Sequence, residues 1–416
     1  MSRASARARP FAAPFSLLLA SFVSAFDRLA LTPILIDISE DLGEPLPAVL
    51  GVATLYLFAY ALMQWGWGVL FGRLGRARTL RLSLLIAAAC GIVTAASTNL
   101  ALLAISRTLS GAALAAVIPA ALVYIGDTVP ARNRQGPLAD IMIATAVGMA
   151  AGTLVPGLLA EYATWRLSFV LVFAVAILSI VAIRSIVDPP LSDDAVVGSW
   201  RALRYIFAIP QARLVLLFVF VEGVVVIGVL SVLPTVLQLN GVTAAVAGLT
   251  TAAYGVAVLL FAPILKRAAN VLQLPTMLGL GGVFGVLAYV AMSIDQSTSG
   301  VLIGAVFLAG TWAFMHTSMQ NWATRVAPGA RPLMISVFAG LLFLGSSIGT
   351  AIGMMFAGTG DFSIYFVGGL LTMTGVGVGA YAAIRSYFAG GAPLNVRWRP
   401  PPRASTARPC CASRTT

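Results

Sequence analysis

AVLGVATLYLFAYALMQWGWGVLF (residues 48–71) runs for 24 positions without a charge, and GRLGRARTLR (72–81), with four arginines, follows at once. About 20 apolar residues in helix, rising about 1.5 Å each, cross the roughly 30 Å hydrocarbon core of a bilayer. An uncharged run of that length ending in a cluster of arginines therefore reads as a span meeting a membrane surface. The pattern recurs along the chain. Segments long and apolar enough to span are 14–36, 48–71, 79–97, 100–126, 138–160 and 167–187, then 214–236, 243–264, 275–293, 300–323, 333–357 and 363–385. Between the two sets of six lies 188–211, with Pro189, Pro190, Asp193, Asp194, Arg201 and Arg204, the one long interior stretch that cannot span.

Composition agrees. Hydrophobic residues make up 59% of the 416 and charged residues only 10%, against about 25% charged in soluble domains. Much of this chain's solvent must be lipid. The 40 glycines and 22 prolines sit among Leu, Val, Ala and Ile, as membrane helices tolerate. A net charge of +12, carried by 25 arginines and a single lysine, suggests nucleic acid when taken alone. The basic residues come as short clusters between apolar runs, which argues for a membrane surface and no nucleic acid. Cys90, Cys410 and Cys411 give neither a disulfide framework nor a metal-ligand spacing. No metal site, cofactor site, phosphate loop or nucleophile–base pair is visible, so an enzyme is not expected. Arg3, Arg7 and Arg9 precede the first apolar stretch, but its length, its Asp27 and Arg28 and the spans behind it favour a retained helix over a signal peptide.

Charge sets an expected orientation. With the N-terminus in the cytoplasm, inside loops and termini hold 23 of the 26 basic residues, while outside loops keep only Arg166 and hold Glu40, Asp41, Glu44, Glu161, Asp295 and Asp361. Basic residues accumulate on the cytoplasmic side, so both termini are expected there, in a multi-pass protein of the plasma (inner) membrane. The expected organisation is a cytoplasmic N-terminus (1–13), a six-helix bundle (14–187), a cytoplasmic central loop (188–212), a second six-helix bundle (213–386) and a disordered basic cytoplasmic tail (387–416). The two sets of six resemble each other. Gly148, Gly152 and Thr153 in the fifth segment match Gly345, Gly349 and Thr350 in the eleventh at an offset of 197 residues. Two parallel six-helix repeats with a substrate site between them are the build of one transporter class.

Four charged residues lie well inside the segments: Asp27 and Arg28 in the first, Arg107 in the fourth and Glu222 in the seventh. Charge at the bilayer centre costs at least about 2.5–3.5 kcal/mol per residue, so each is expected to face protein or a wet cavity. Asp27 sits about 19 Å from one end of its helix and Arg107 about 10 Å from the opposite end of its own, so their depths coincide and an ion pair is allowed. Arg28 adjoins Asp27, so both cations are expected to hold that carboxylate ionised. On the first helix Ser21, Ser24, Arg28 and Thr32 share one face, with Asp27 at its edge. Glu222 has no basic residue near it in its own helix, and a lone carboxyl in low dielectric favours its protonated form. That makes it the expected proton carrier. Tyr56, Tyr60, Gln64 and Trp67 recur at helical spacing in the second segment, as do Trp312, His316 and Gln320 in the tenth. Tyr56, Tyr60, Gln64, Trp312, His316 and Gln320 are the candidate pocket. Gly148 and Gly152, and Gly345, Gly349 and Gly353, at small-xxx-small spacing, are expected to line contacts between the halves, fifth helix with eighth and eleventh with second.

The stretch Gly68-Val-Leu-Phe-Gly72-Arg73-Leu-Gly75-Arg76-Ala-Arg78 resembles the G-x-x-x-D-R-x-G-R-[RK] loop of the major facilitator superfamily, with Gly72 at the Asp position. In that family the loop, here Gly68, Arg73, Gly75 and Arg76, takes part in gating. Asp27-Arg28 with Pro33, ahead of Ile38-Ser39-Glu40-Asp41-Leu42-Gly43, resembles the helix 1 pattern of the drug:proton antiporter branch. Arg107-Thr-Leu-Ser-Gly111 resembles its helix 4 motif, whose Arg is associated with proton coupling. Gly148-x-x-x-Gly152-Thr153-Leu-Val-Pro156-Gly157 resembles its helix 5 motif, with Thr153 for Pro and Pro156 for Gly. The resemblance spans about residues 14–385. It implies an all-α membrane protein of 12 transmembrane helices in two six-helix repeats, a monomer with a small-molecule substrate and protons as partners. The function it implies is proton-coupled efflux of small amphipathic molecules by alternating access. The alternative on the same fold is a proton-coupled importer of a sugar or other metabolite. An intramembrane enzyme would want a His/Asp/Glu cluster and a channel a repeated pore ring, and neither is visible.

Cysteine-accessibility labelling is expected to find 188–211 and 390–416 cytoplasmic and the loop at Asp295 exposed outside. A tail labelled from outside intact cells would reverse the orientation.

Overall fold

The computed structural model describes residues 12–130, 133–183 and 200–389, with the backbone alone at 68, 69 and 71–74. Among these residues twelve helices are long and apolar enough to cross a membrane. They are α1 (Phe15–Leu42), α2 (Leu46–Leu74), α3 (Arg76–Ala95), α4 (Leu100–Thr128), α5 (Gln135–Tyr162), α6 (Arg166–Ile183), α7 (Pro210–Leu239), α8 (Ala244–Ala268), α9 (Leu274–Ile294), α10 (Thr298–Val326), α11 (Arg331–Ala357) and α12 (Ser363–Ala389). The end of the bundle that holds Phe15 is called the near end, and the other the far end. The N-terminal stretch 1–11, Arg132, the interior stretch 184–199 and the tail from 390 lie outside the described residues. Within the expected central loop, Trp200–Ala208 forms a nine-residue helix.

Local sequence explains the helix ends. Pro33 interrupts α1 with a short 3-10 turn, Thr32–Ile34, before helix resumes at Leu35, because proline lacks the N–H that continues the ladder. The α2–α3 turn needs Gly75, whose φ of 83° few L side chains adopt. Asn99 caps α4 by accepting from the Leu102 N–H at 2.9 Å. At the far end the Asp295 carboxylate accepts from the Ser297 and Ser299 hydroxyls and from the Ser297 and Gly300 N–H groups. Those donors, the Ser297 hydroxyl foremost, hold it below the usual carboxylate range. Large apolar side chains such as Leu260, Leu371 and Val378 are exposed on the rim, which is stable only where the surrounding solvent is lipid.

Glycine sets where helices touch backbone to backbone. A Cβ at Gly148 or Gly152 would strike the carbonyl of Phe22 or Phe26 on α1, and one at Gly345 or Gly349 that of Phe220 or Val224 on α7. Gly353 faces Val232 on α7 and Tyr365 on α12. These glycines thus seat α5 on α1 and α11 on α7, inside each half, which corrects the expectation that they line the contact between halves. The physical reason is that each half must close its own bundle, and its first and fifth helices cross most closely. The partners repeat as the glycines do: Phe22 and Phe26 stand to Phe220 and Val224 at an offset of 198 residues.

The halves meet along two seams. Where α5 meets α8, contact is again by backbone: a Cβ at Gly157 would strike Ala244, one at Gly248 Thr153, and one at Gly255 Ala146 and Ala150. Where α2 meets α11, side chains do the work. Tyr60 and Phe343 rings lie 4.5 Å apart, and the Ser347 hydroxyl donates to the Thr54 carbonyl at 3.0 Å. At the far end the Gln238 amide donates to the Pro33 carbonyl at 2.9 Å, and the Ala245 N–H to the Glu161 carboxylate at 2.9 Å. These polar ties run from Thr54 to the far end, and nearer the near end Trp65 of α2 packs on Gly340 of α11.

Gly345→Ala is expected to cost about 1–3 kcal/mol, the range for overpacking a tight site, read as a lowered melting temperature in detergent. Gly375→Ala, on α12 with nothing within 4 Å of its added Cβ, is expected to be neutral or slightly stabilising. Equal effects at the two positions would refute the glycine seat.

Candidate functional site

Two acid–base pairs are buried at mid-depth, one in each half. In the first half, α1 and α4 bring Asp27 and Arg107 together. Arg107 Nη1 donates to Asp27 Oδ1 at 2.6 Å and Nη2 to the Asp27 carbonyl at 2.9 Å, while the Ser110 hydroxyl donates to Oδ2 at 2.9 Å. Ser110 lies three residues after Arg107, hence on the same face of α4. Gly111, one turn beyond Arg107, lets α4 close on α2, since a Cβ there would meet the Tyr56 carbonyl at 2.5 Å. That approach sets the Arg107 guanidinium between the rings of Tyr56 (4.8 Å) and Phe169 (4.7 Å). Both ionic side chains are fully buried and the pair is charge-assisted, with both Asp27 carboxylate oxygens bonded and Arg107 Nε left without a partner.

In the second half, α7 and α10 bring Glu222 and His316 together, with Nδ1 3.0 Å from Oε2. The indole of Trp312 stacks on the imidazole at 3.8 Å and 7°, and Phe338 on α11 lies 5.4 Å away at 53°. Glu222 is fully buried, and its Oε1 has no hydrogen-bond partner. Both helices loosen into a π-turn beside the pair: Gly223–Gly228 begins one residue after Glu222, and Trp312–His316 ends on the histidine. Such turns replace the regular ladder and often mark functional positions. Sequence reasoning left Glu222 without a partner because it searched α7 alone. Glu222 is about 18 Å and His316 about 15 Å from the near end. The depth argument used for Asp27 and Arg107 would have paired them too.

Arg28 departs from expectation. It does not share Asp27 with Arg107, because consecutive residues point about 100° apart on a helix. Its guanidinium lies instead over Tyr60 (5.7 Å) and Phe343 (5.2 Å), across the α2–α11 seam. Among the described residues no carboxylate is within ion-pair distance of it, and it is only partly buried. Tyr254 on α8, absent from the sequence reading, is buried with an unpartnered hydroxyl and lies close enough to Arg28 and Glu222 to feel both charges. A lone tyrosine in an apolar run carries no signal that would have singled it out.

The remaining candidates separate. Tyr56 and Tyr60 stack on each other, 6.2 Å apart, and Gln64 is buried one turn on with Oε1 unpartnered. Trp67 instead ties α2 to α4, donating to the Ala112 carbonyl at 2.6 Å. Gln320 follows His316 by one turn and is exposed. Arg76 pairs with Asp127 on α4 at 2.7 Å, within the first half. The side chain of Arg73 and the position of Gly68 fall where only the backbone is described. Pro156 and Gly157 are buried in α5.

Arg107→Ala is expected to cost about 3–5 kcal/mol, the cost of leaving a buried charge unpaired, and Asp27→Asn in the same chain to restore part of it. Unfolding in detergent reads this out. Simple additivity of the two changes would show that the pair is not a unit.

A model of the Major Facilitator Superfamily matches residues 17–241. Among curated proteins, the uncharacterized MFS-type transporter YfhI of Bacillus subtilis (strain 168) is 24% identical over 391 residues, which is 88% of this chain and 93% of that protein. The MFS efflux transporter aclA of Aspergillus oryzae (strain ATCC 42149 / RIB 40) is 28% identical over 170 residues, covering 40% of this chain and 30% of that protein. Among solved structures, the partially occluded inward open conformation of the xylose transporter XylE from E. coli superimposes with a TM-score of 0.71 at 12% identity, over 90% of this chain and 97% of that one. With the family model matched over more than half its residues, on a fold of twelve membrane-length helices, the chain belongs to the Major Facilitator Superfamily.

Proposed function

We propose that the protein is a proton-coupled secondary transporter that exports small amphipathic molecules by alternating access. The observation that carries this reading is the Glu222–His316 pair inside the second half: a fully buried carboxyl with one bare oxygen, bonded to the only histidine in the chain. Imidazole is the side chain whose ordinary charge change falls nearest neutrality. A Glu–His pair can therefore gain and lose a proton where an Asp–Arg pair stays ionic. Asp27 and Arg107 then serve as the fixed ionic joint of the first half, and Glu222 with His316 as the proton-carrying joint of the second. Tyr60, Trp312 and Phe338 offer the cargo an apolar wall. With both termini in the cytoplasm of a plasma membrane, as the loop charges favour, the near end faces the cytoplasm and the ties of Gln238 and Glu161 lie on the outer side. Export is supported by the antiporter-like stretches around Asp27, Arg107 and Gly148.

Arg28 favours a second reading, inward co-transport. A negatively charged cargo in the field of Glu222 draws a proton to that carboxyl rather than displacing it, so cargo and proton load together.

Inside-out membrane vesicles with an acid lumen separate the two in a substrate screen. An exporter driven by proton exchange accumulates its cargo in them, whereas a co-transporter accumulates it only in right-side-out vesicles under acid outside medium. Glu222→Gln is expected to remove the pH dependence of transport while leaving cargo affinity within about threefold, since one amide replaces one carboxyl of equal shape. If Glu222→Gln still couples to the gradient and Asp27→Asn does not, Asp27 carries the proton.

A further inference from the structure

Of the four charged residues well inside the spans, Asp27, Arg28, Arg107 and Glu222, Arg28 is the one without a charged partner among the described residues. Asp27 is turned to Arg107 and Ser110, which donate to its carboxylate and carbonyl, and it forms no ion pair with Arg28. Glu222 is bonded to His316. The rings of Tyr60 and Phe343, 5.7 and 5.2 Å from the guanidinium, offset only part of what an unpaired cation costs at this depth. Its surroundings are also unfinished as a hydrogen-bonding site. The hydroxyl of Tyr254, a buried side chain close enough to Arg28 to feel its charge, has no partner. Arg28 and Trp312 keep partial exposure, while Tyr60, Phe343, Tyr254 and His316 are buried.

We propose that the cargo is an organic anion: its carboxylate or other oxyanion docks on the Arg28 guanidinium, with the Tyr254 hydroxyl as second donor, and its apolar body lies against Tyr60, Phe343 and Trp312. A guanidinium is a planar fork of N–H donors that matches two oxyanion oxygens, and the Tyr254 O–H adds a donor from the opposite half. One acidic group held this way touches α1 and α8 at once, so the cargo itself completes a polar contact between the halves. Cationic amphiphiles are disfavoured at the same spot by repulsion from Arg28. The inference rests on the transport reading but on neither direction, and it names the chemical class of the cargo.

The test uses the full chain in lipid nanodiscs, without a gradient, and a probe series with one body and three heads: 2-naphthylacetate, 2-naphthylacetamide and 2-(2-naphthyl)ethylamine, together with matched aryl sulfonates and medium-chain fatty acids. Calorimetry is expected to show an acid binding at least about tenfold tighter than its amide, with the amine weakest. Arg28→Gln is expected to bring acid and amide within about twofold, and Arg28→Lys to keep part of the preference. Should Arg28→Gln fail to fold, Tyr254→Phe, which keeps every charge, is expected to weaken the acid several-fold and leave the amide nearly unchanged. A panel in which no anion binds more tightly than its uncharged counterpart overturns the proposal, as does a preference that survives Arg28→Gln. Acid selectivity without gradient-driven transport sinks the coupling reading and leaves this one standing. Gradient-driven transport of the amine or amide in preference to the acid does the reverse.

Discussion

Asp27, Arg107, Glu222 and His316 are all buried inside the bundle, and that burial organises the middle of the molecule. Each ionisable group placed there must find its counterpart in protein or remain uncharged. The first helix of each half carries a carboxyl, and the fourth helix of each half carries the base that meets it: α1 with α4, α7 with α10. The two bonds tie each bundle through its middle. They differ in one respect. Arginine does not release its proton in a protein, so the first bond keeps its charge; imidazole and a glutamic acid can exchange theirs. The same frame thus ends in a guanidinium on one side and in an imidazole on the other.

Much of this was legible in the sequence because lipid imposes a coarse code. Twelve apolar runs, a polar break after the sixth and arginines clustered on one side of the spans follow from bilayer thickness and charge cost alone. The helix ends moved by only a few residues, except where Pro33 let α1 resume as helix to Leu42. Asp27 and Arg107 were legible too, because depth along two helices is simple arithmetic.

What failed did so for identifiable reasons. Spacing showed that Gly148, Gly152, Gly345 and Gly349 permit close approach, but a small-residue stripe does not say which neighbour approaches. The neighbour proved to be the first helix of the same half rather than the opposite half. Arg28 was assigned to Asp27 by adjacency in sequence, yet one residue along a helix is nearly a third of a turn, enough to aim it at Tyr60 and Phe343 instead. Tyr254 and the π-turns beside Glu222 and His316 gave no warning, since both depend on which helix lies opposite.

The two seams between the halves are built of different material, and that has a mechanical consequence. Along α5 and α8 backbone rests on backbone at Gly157, Gly248 and Gly255, where there is no rotamer to change and little to compress. Along α2 and α11 the contact runs through Tyr60, Phe343 and Ser347, side chains that can turn and slide. A rigid bearing on one flank and a compliant one on the other would make a lever of any rocking motion, with the pivot at α5 and α8 and the larger stroke at α2 and α11. Arg28 sits on the compliant flank, where a small rotation about the fulcrum becomes the longest displacement.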